Sequence, residues 1–138
     1  MAVIEELIRK EADGSLSFGN YLLDAKTKVS DFECQGDIYK VKTFKEITKL
    51  EKNGLFVYES VMGTAVNGFS VTEDTVSLTV EGTEDAQITL GLEPETLYAV
   101  TIDDDDVGMI KTNLGGKLVF SISLEPGQMR KVIVVKSE

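Results

Sequence analysis

Polar and apolar residues alternate without error along Thr75-Val76-Ser77-Leu78-Thr79-Val80, the two-residue period of a strand with one buried face. The period recurs at Ala86, Ile88, Leu90 and Leu92. It returns over 117–124, where Leu118, Phe120, Ile122 and Leu124 take one side and Lys117, Val119, Ser121 and Ser123 the other. Residues 97–102 are rich in β-formers on both faces, 107–111 continue the strand character, and Val132-Ile133-Val134-Val135 predicts a short, wholly apolar last strand. Glu93-Pro94-Glu95, Asn113-Leu114-Gly115-Gly116 and Glu125-Pro126-Gly127 supply the turns between them. Strands at this regular spacing, with turn chemistry between them, predict a sandwich or barrel and not alternating strands and helices.

The first half is less uniform. Asp13-Gly14 followed by Leu16 and Phe18 predicts a hairpin with strands near 5–11 and 15–23, although Val3, Ile4, Leu7 and Ile8 also fit one face of a short helix. Residues 27–34 and 37–43 read as strands around Gln35-Gly36. Residues 44–52 admit two readings. Thr43 with Glu46 forms a capping box and Asn53-Gly54 could end a helix. The same Asn53-Gly54 is the preferred two-residue hairpin turn, and Leu55-Phe56-Val57-Tyr58 behind it is strand-like, so the hairpin is the preferred reading. Gly63 and Gly68 bracket Thr64-Ala65-Val66-Asn67, read as a loop. A seam at Glu81-Gly82-Thr83-Glu84-Asp85 divides the chain into 1–81 and 82–138. The second stretch is too short to bury a sheet face alone, so the halves are expected to pack closely. The expected fold is all-β, a β-sandwich or jelly-roll-like pair of antiparallel sheets, with two small β units sharing one core as the open variant.

Length and composition agree with that expectation: 138 residues, 42% hydrophobic and 28% charged, suit an ordinary globular chain. Cys34 is the sole cysteine, so no internal disulfide can form. The N-terminal residues lack the basic start and apolar core of a secretion signal, and no apolar run is long enough to cross a bilayer as a helix. A cytoplasmic setting follows as the expectation.

Charge adds a second feature. The net charge is −10, yet residues 53–110 hold twelve acids and no lysine or arginine, whereas 26–52 carry +2 and 111–138 carry +3. Nucleic acid and anionic membrane surfaces are poor partners for such a chain. The polarity instead points to a solvated acidic face or to self-association, acidic middle against basic flanks.

Catalytic equipment is sparse. Without histidine there is no Ser-His or Cys-His relay and no imidazole metal site; one cysteine makes no thiolate cage. No phosphate-binding or dinucleotide fingerprint occurs. No catalytic, cofactor-binding or metal residue is assigned, no cofactor is expected, and the chain is read as a non-enzyme. Asp103-Asp104-Asp105-Asp106 could ligate Ca²⁺ but lacks the spaced ligands of an EF-hand loop and reads as a solvated hairpin tip. Cys34, flanked by Glu33 and near Asp31 and Asp37, reads as a packed thiol. The alternative class is carbohydrate recognition or carboxylate-based glycoside hydrolysis, which requires a concave surface holding Tyr or Phe beside two carboxylates.

Several stretches together resemble a family of small bacterial, Firmicute-type proteins that often carry the transferred name "endosialidase". They are 7–11 running into Gly14-Ser15-Leu16-Ser17-Phe18-Gly19-Asn20-Tyr21; Tyr39-Lys40-Val41-Lys42-Thr43-Phe44-Lys45-Glu46; Phe56-Val57-Tyr58-Glu59-Ser60; Gly63-Thr64-Ala65-Val66; and 111–118. The resemblance implies a small β-rich protein and brings no catalytic residues. Sialidase activity needs three arginines around the substrate carboxylate, and this chain has only Arg9 and Arg130 and no tryptophan. Residues 84–136 also resemble the accessory β-sandwich modules of polysaccharide-degrading enzymes, which implies a supporting or binding role. The sequence-level expectation is therefore a non-catalytic β-sheet binding or assembly protein that forms homo-oligomers.

Overall fold

Thirteen strands and no helix make up the regular structure of a computed structural model that describes residues 3–137. Seven strands form one sheet, in the spatial order β1 (Ile8–Lys10), β2 (Leu16–Phe18), β7 (Ala65–Val71), β8 (Thr75–Glu81), β13 (Met129–Lys136), β10 (Leu97–Ile102), β11 (Asp105–Lys111). Six form the other: β12 (Lys117–Ile122), β9 (Ala86–Gly91), β6 (Leu55–Val61), β5 (Ile47–Lys52), β4 (Asp37–Phe44), β3 (Thr27–Cys34). Every neighbouring pair is antiparallel, and the two sheets pack face to face as a β-sandwich.

The alternation dictates the core. Val76, Leu78 and Val80 of β8, Val132 and Val134 of β13, and Tyr98, Val100 and Ile102 of β10 turn inward from the seven-stranded sheet. Leu118, Phe120 and Ile122 of β12, Ile88 and Leu90 of β9, and Val41 and Leu50 meet them from the other. Each such fully buried side chain contributes about 1.5–3 kcal/mol over exposure. Phe18 stands edge-on to Tyr58 and to Phe69, ring centroids 5.3 and 5.8 Å apart, and so ties the short N-terminal hairpin into the middle of the sandwich.

Turn chemistry sets the registers. Gln35-Gly36 and Asn53-Gly54 have both central residues left-handed, with φ of 51°, 86°, 52° and 80°, the turn whose twist matches the flanking strands. Residues 44–52 are thus not a helix but the end of β4, a turn at 45–46 and the hairpin arm β5, with Tyr39 opposite Lys52 and Lys52 opposite Leu55. Asp103-Asp104 make the same kind of turn, at φ 52° and 70°, which aspartate tolerates better than most side chains.

Three expectations are corrected. Residues 65–67 are not loop but the start of β7, which pairs with β8; a bulge between Asn67 and Ser70, with Gly68 at φ 66°, breaks the alternation that would have revealed it. The N-terminal hairpin is confined to 8–10 and 16–18, because Leu7 and Gly19 leave the strand region at φ 73° and 99°. The last strand runs over eight residues and buries only Val132 and Val134 fully, with Val135 facing out. Strands from both sides of the 81/82 seam lie side by side in both sheets, β8 beside β13 and β6 beside β9.

One end of the sandwich is shut by hydroxyls. The Asn20 N–H donates to Thr43 Oγ1 (2.9 Å), which lies 2.8 Å from Thr48 Oγ1. Thr48 donates in turn to the Thr64 carbonyl at 2.8 Å. Thr64 Oγ1 meets the Tyr58 hydroxyl (2.8 Å) and Ser60 Oγ (2.7 Å). All of these side chains but Asn20 are at zero exposure, so each polar atom is matched inside the protein. The Tyr58 phenol is pushed up to about 12 by burial.

Candidate functional site

At the opposite end the sheets part, leaving a cleft of about 610 Å³. Successive turns of a meander alternate between ends, so the 13–14, 35–36 and 53–54 turns and the end of β7 all come to this one. Tyr39 and Lys52 occupy inward positions at the ends of β4 and β5, where the core alternation runs out. Phe69 and Val71 face them from β7, with Phe69 buried and Val71 more than half exposed at the mouth. Leu55 forms the rim opposite, and Val57, the extra residue of a bulge between Leu50 and Glu51, packs inward on the core.

Polar groups line the same hollow. Asp37 Oδ1 accepts a hydrogen bond from Asn53 Nδ2 at 2.9 Å, and Lys52 Nζ lies 3.5 Å from Oδ2. The amide donor first, and the ammonium second, hold the Asp37 carboxyl below the usual aspartate range. Asp13 Oδ1 accepts from Ser15 Oγ (2.7 Å) and from the Ser15 N–H (2.9 Å), which lower that carboxyl in the same way. The Tyr39 phenol is raised, first by burial and then by the nearby negative charge of Asp37. The Gln35 amide nitrogen lies so close to Gly14 that a Cβ there would stand 2.6 Å from it, and Gly14 itself is at φ 90°. The cleft therefore mixes an aromatic and aliphatic wall with fixed acceptors and amides, and its volume lies within the range that holds a small ligand.

Cys34 forms part of the cleft wall and is buried, the packed thiol that the sequence implied. Asp103–Asp106 sit at the shut end, far from it. There Asp103 Oδ2 binds Arg130 Nε (2.5 Å) and Oδ1 accepts the Lys131 N–H (2.8 Å), while Asp106 Oδ1 accepts the Gly108 N–H (2.9 Å). Among the described residues no group of His, Cys, Asp and Glu is arranged to hold a metal ion. Sequence reasoning assigned no site residue and missed the cleft; the available signal was the shared parity of the three turns, with Tyr39 and Lys52 interrupting inward apolar positions.

The basic segments also find a place. Lys28, Lys42 and Lys49 stand directly opposite one another across β3, β4 and β5 on the outer face, next to Glu59 of β6. Lys49 and Lys117 flank the Phe56 ring at 6.0 and 4.8 Å. Among the described residues no helix is long and apolar enough to cross a membrane. No protein-family model, curated protein or solved structure matches the chain.

Proposed function

We propose that this protein is a non-catalytic β-sandwich binding module whose end cleft takes a carbohydrate. The observation that carries the reading is the juxtaposition in one hollow of Tyr39 and Phe69 with the Asp13 and Asp37 carboxylates, beside the Asn53 and Gln35 amides. A sugar presents apolar C–H faces rimmed by hydroxyls. Tyr39, Leu55 and Val71 suit the faces; the carboxylates and amides suit the hydroxyls.

Binding without hydrolysis is favoured because a glycosidase keeps one carboxyl protonated at neutral pH to serve as general acid. Asp13 and Asp37 are both held in the opposite direction. The test is titration of the isotope-labelled protein with an oligosaccharide panel that includes polysialic acid, followed by NMR. The expected result is shift changes confined to Tyr39, Lys52, Leu55 and Val71, lost in the Tyr39→Ala variant, with the glycan recovered at unchanged length. A panel without any shift changes overturns carbohydrate binding, and shortened glycan overturns the non-catalytic role.

A further inference from the structure

The charged side chains that line the cleft among the described residues are Asp13, Asp37 and Lys52, and they do not balance. Lys52 Nζ and the Asn53 amide engage Asp37. Asp13 has no such counterpart. Both bonds from Ser15 fall on Oδ1, and no lysine or arginine lies within ion-pair distance of either oxygen among the described residues. The Ser15 hydroxyl, and after it the Ser15 N–H, hold this carboxyl below the usual aspartate range, and no cation contributes. Asp13 is therefore ionised at neutral pH and uncompensated.

The mouth adds to the excess. Val71 at the rim leads into a turn that carries Glu73 and Asp74, both exposed and outside any ion pair among the described residues. Both fall within 53–110, the stretch without lysine or arginine. A hollow walled by one sign of charge concentrates the opposite sign. The aromatic part of the wall acts in the same direction, because the face of a ring attracts a cation, and part-buried Tyr39 lines the hollow with Phe69.

We infer that the sugar held in this cleft is an amino sugar with a free ammonium group, and that Asp13 is the residue that selects it. The inference rests on the carbohydrate reading of the cleft and adds the class of sugar. Among the groups a sugar carries, an ammonium gains from the unpaired carboxylate, from the acidic mouth and from the aromatic wall together. It offers N–H donors to an acceptor-only carboxylate, a charge-assisted pair. Asp37, already engaged by Lys52, is left to accept from hydroxyls. N-acetylation abolishes the charge while keeping the ring, and a uronic acid brings a further carboxylate to a cleft lined by one lysine.

The test compares tetramers of N-acetylglucosamine and of N-acetylgalactosamine with their singly deacetylated forms, by NMR titration of the full chain at low salt. A pH of about 6 keeps the sugar amine protonated. In at least one series the deacetylated forms should bind roughly fivefold tighter or more, with shift changes at Tyr39, Lys52 and Val71, and added salt should narrow the gap. Asp13→Asn should bring the ratio below about twofold, whereas Asp13→Glu, which restores the charge, should keep it. Should the asparagine variant bind neither form, the glutamate variant decides. Equal affinity for the acetylated and deacetylated forms overturns the inference and leaves the carbohydrate reading standing, whereas silence from every sugar removes both. A preference that survives Asp13→Asn overturns it too, as do shift changes gathered at the Asp103–Asp106 turn, since the amine would then be drawn by general surface charge.

Discussion

Thr48 and Thr64 hold each other through one hydroxyl: Thr48 Oγ1 donates to the Thr64 carbonyl at 2.8 Å and accepts the Thr64 N–H at 3.1 Å. A β5 side chain thereby does for Thr64, just ahead of β7, what a ladder partner does for a strand residue. Because Thr48 spends its only proton on Thr64, the proton between Thr43 and Thr48 must come from Thr43, which in turn accepts from the Asn20 N–H. The direction of the chain is fixed by counting donors, and it links the residues after β2, the β4–β5 hairpin and the entry to β7.

Replacing Thr48 by valine keeps the volume and removes that hydroxyl. It strands the Thr64 N–H and carbonyl and the Thr43 proton in a dry site, at about 1–3 kcal/mol for a buried group left unmatched. The expected loss is about 2–3 kcal/mol by urea unfolding, with Thr48→Ser losing less than half as much. Equal losses for the two variants would show that packing, and not the hydroxyl, is what matters there.

Gly19 and Gly54 separate backbone conformation from contact. Both have positive φ, 99° and 80°, but a Cβ on Gly19 would run into the Thr64 carbonyl oxygen, while Gly54 has open space around it. Gly54→Ala should cost about 1 kcal/mol, the conformational penalty alone. Gly19→Ala should cost more than twice that, since the clashing atom is backbone and cannot step aside. Similar costs in urea unfolding would mean that the shut end yields more readily than its hydrogen bonds imply.

The strands of this sandwich were legible where alternation and turn chemistry agree. Asn53-Gly54 outweighed the capping box because both of its residues occupy the left-handed region that the hairpin needs. β7 was illegible for the complementary reason. Its bulge at Gly68 shifts the apolar positions from Val66 to Phe69, an odd step that a two-residue period rejects. The cleft was harder still. Tyr39, Lys52, Phe69 and Val71 come from three strands in two sheets, and each looks alone like an ordinary strand residue. What makes a site of them is the parting of the sheets at one end, which depends on how two inner faces meet.

Tyr58 makes stability depend on pH in the alkaline range. Its ordinary value is 10.0 and burial raises it to about 12 in the folded protein. A raised value means that the folded state keeps the proton longer, so the contribution is complete below about pH 10 and disappears as pH climbs through the folded value. Two units correspond to about 3 kcal/mol. Urea unfolding repeated through that window should show stability falling, and Tyr58→Phe should flatten the decline while lowering stability at neutral pH through the lost Thr64 contact. A wild-type profile as flat as the variant's would mean that the phenolate finds solvent without unfolding.

Asp103 offers a last test, of the four-aspartate turn. Its two oxygens are engaged by Arg130 and by the Lys131 N–H, the first being the side chain that also donates to the Ser123 carbonyl at 2.7 Å. The carboxyl is held below its usual range, chiefly by the Lys131 N–H and then by Arg130, so it is committed to tying the β10–β11 tip to β13. A calcium ion would have to displace the guanidinium to recruit it, leaving Asp104, Asp105 and Asp106 short of the six to eight oxygens calcium prefers. The melting temperature should therefore be unchanged by millimolar Ca²⁺, whereas Arg130→Ala should lower it slightly and Asp103→Asn more, because a neutral amide weakens the bonds to both the guanidinium and the Lys131 N–H. A calcium-dependent rise in melting temperature that vanishes in Asp103→Asn would mean that the turn exchanges its arginine for the ion, and the tie to β13 would then be a switch.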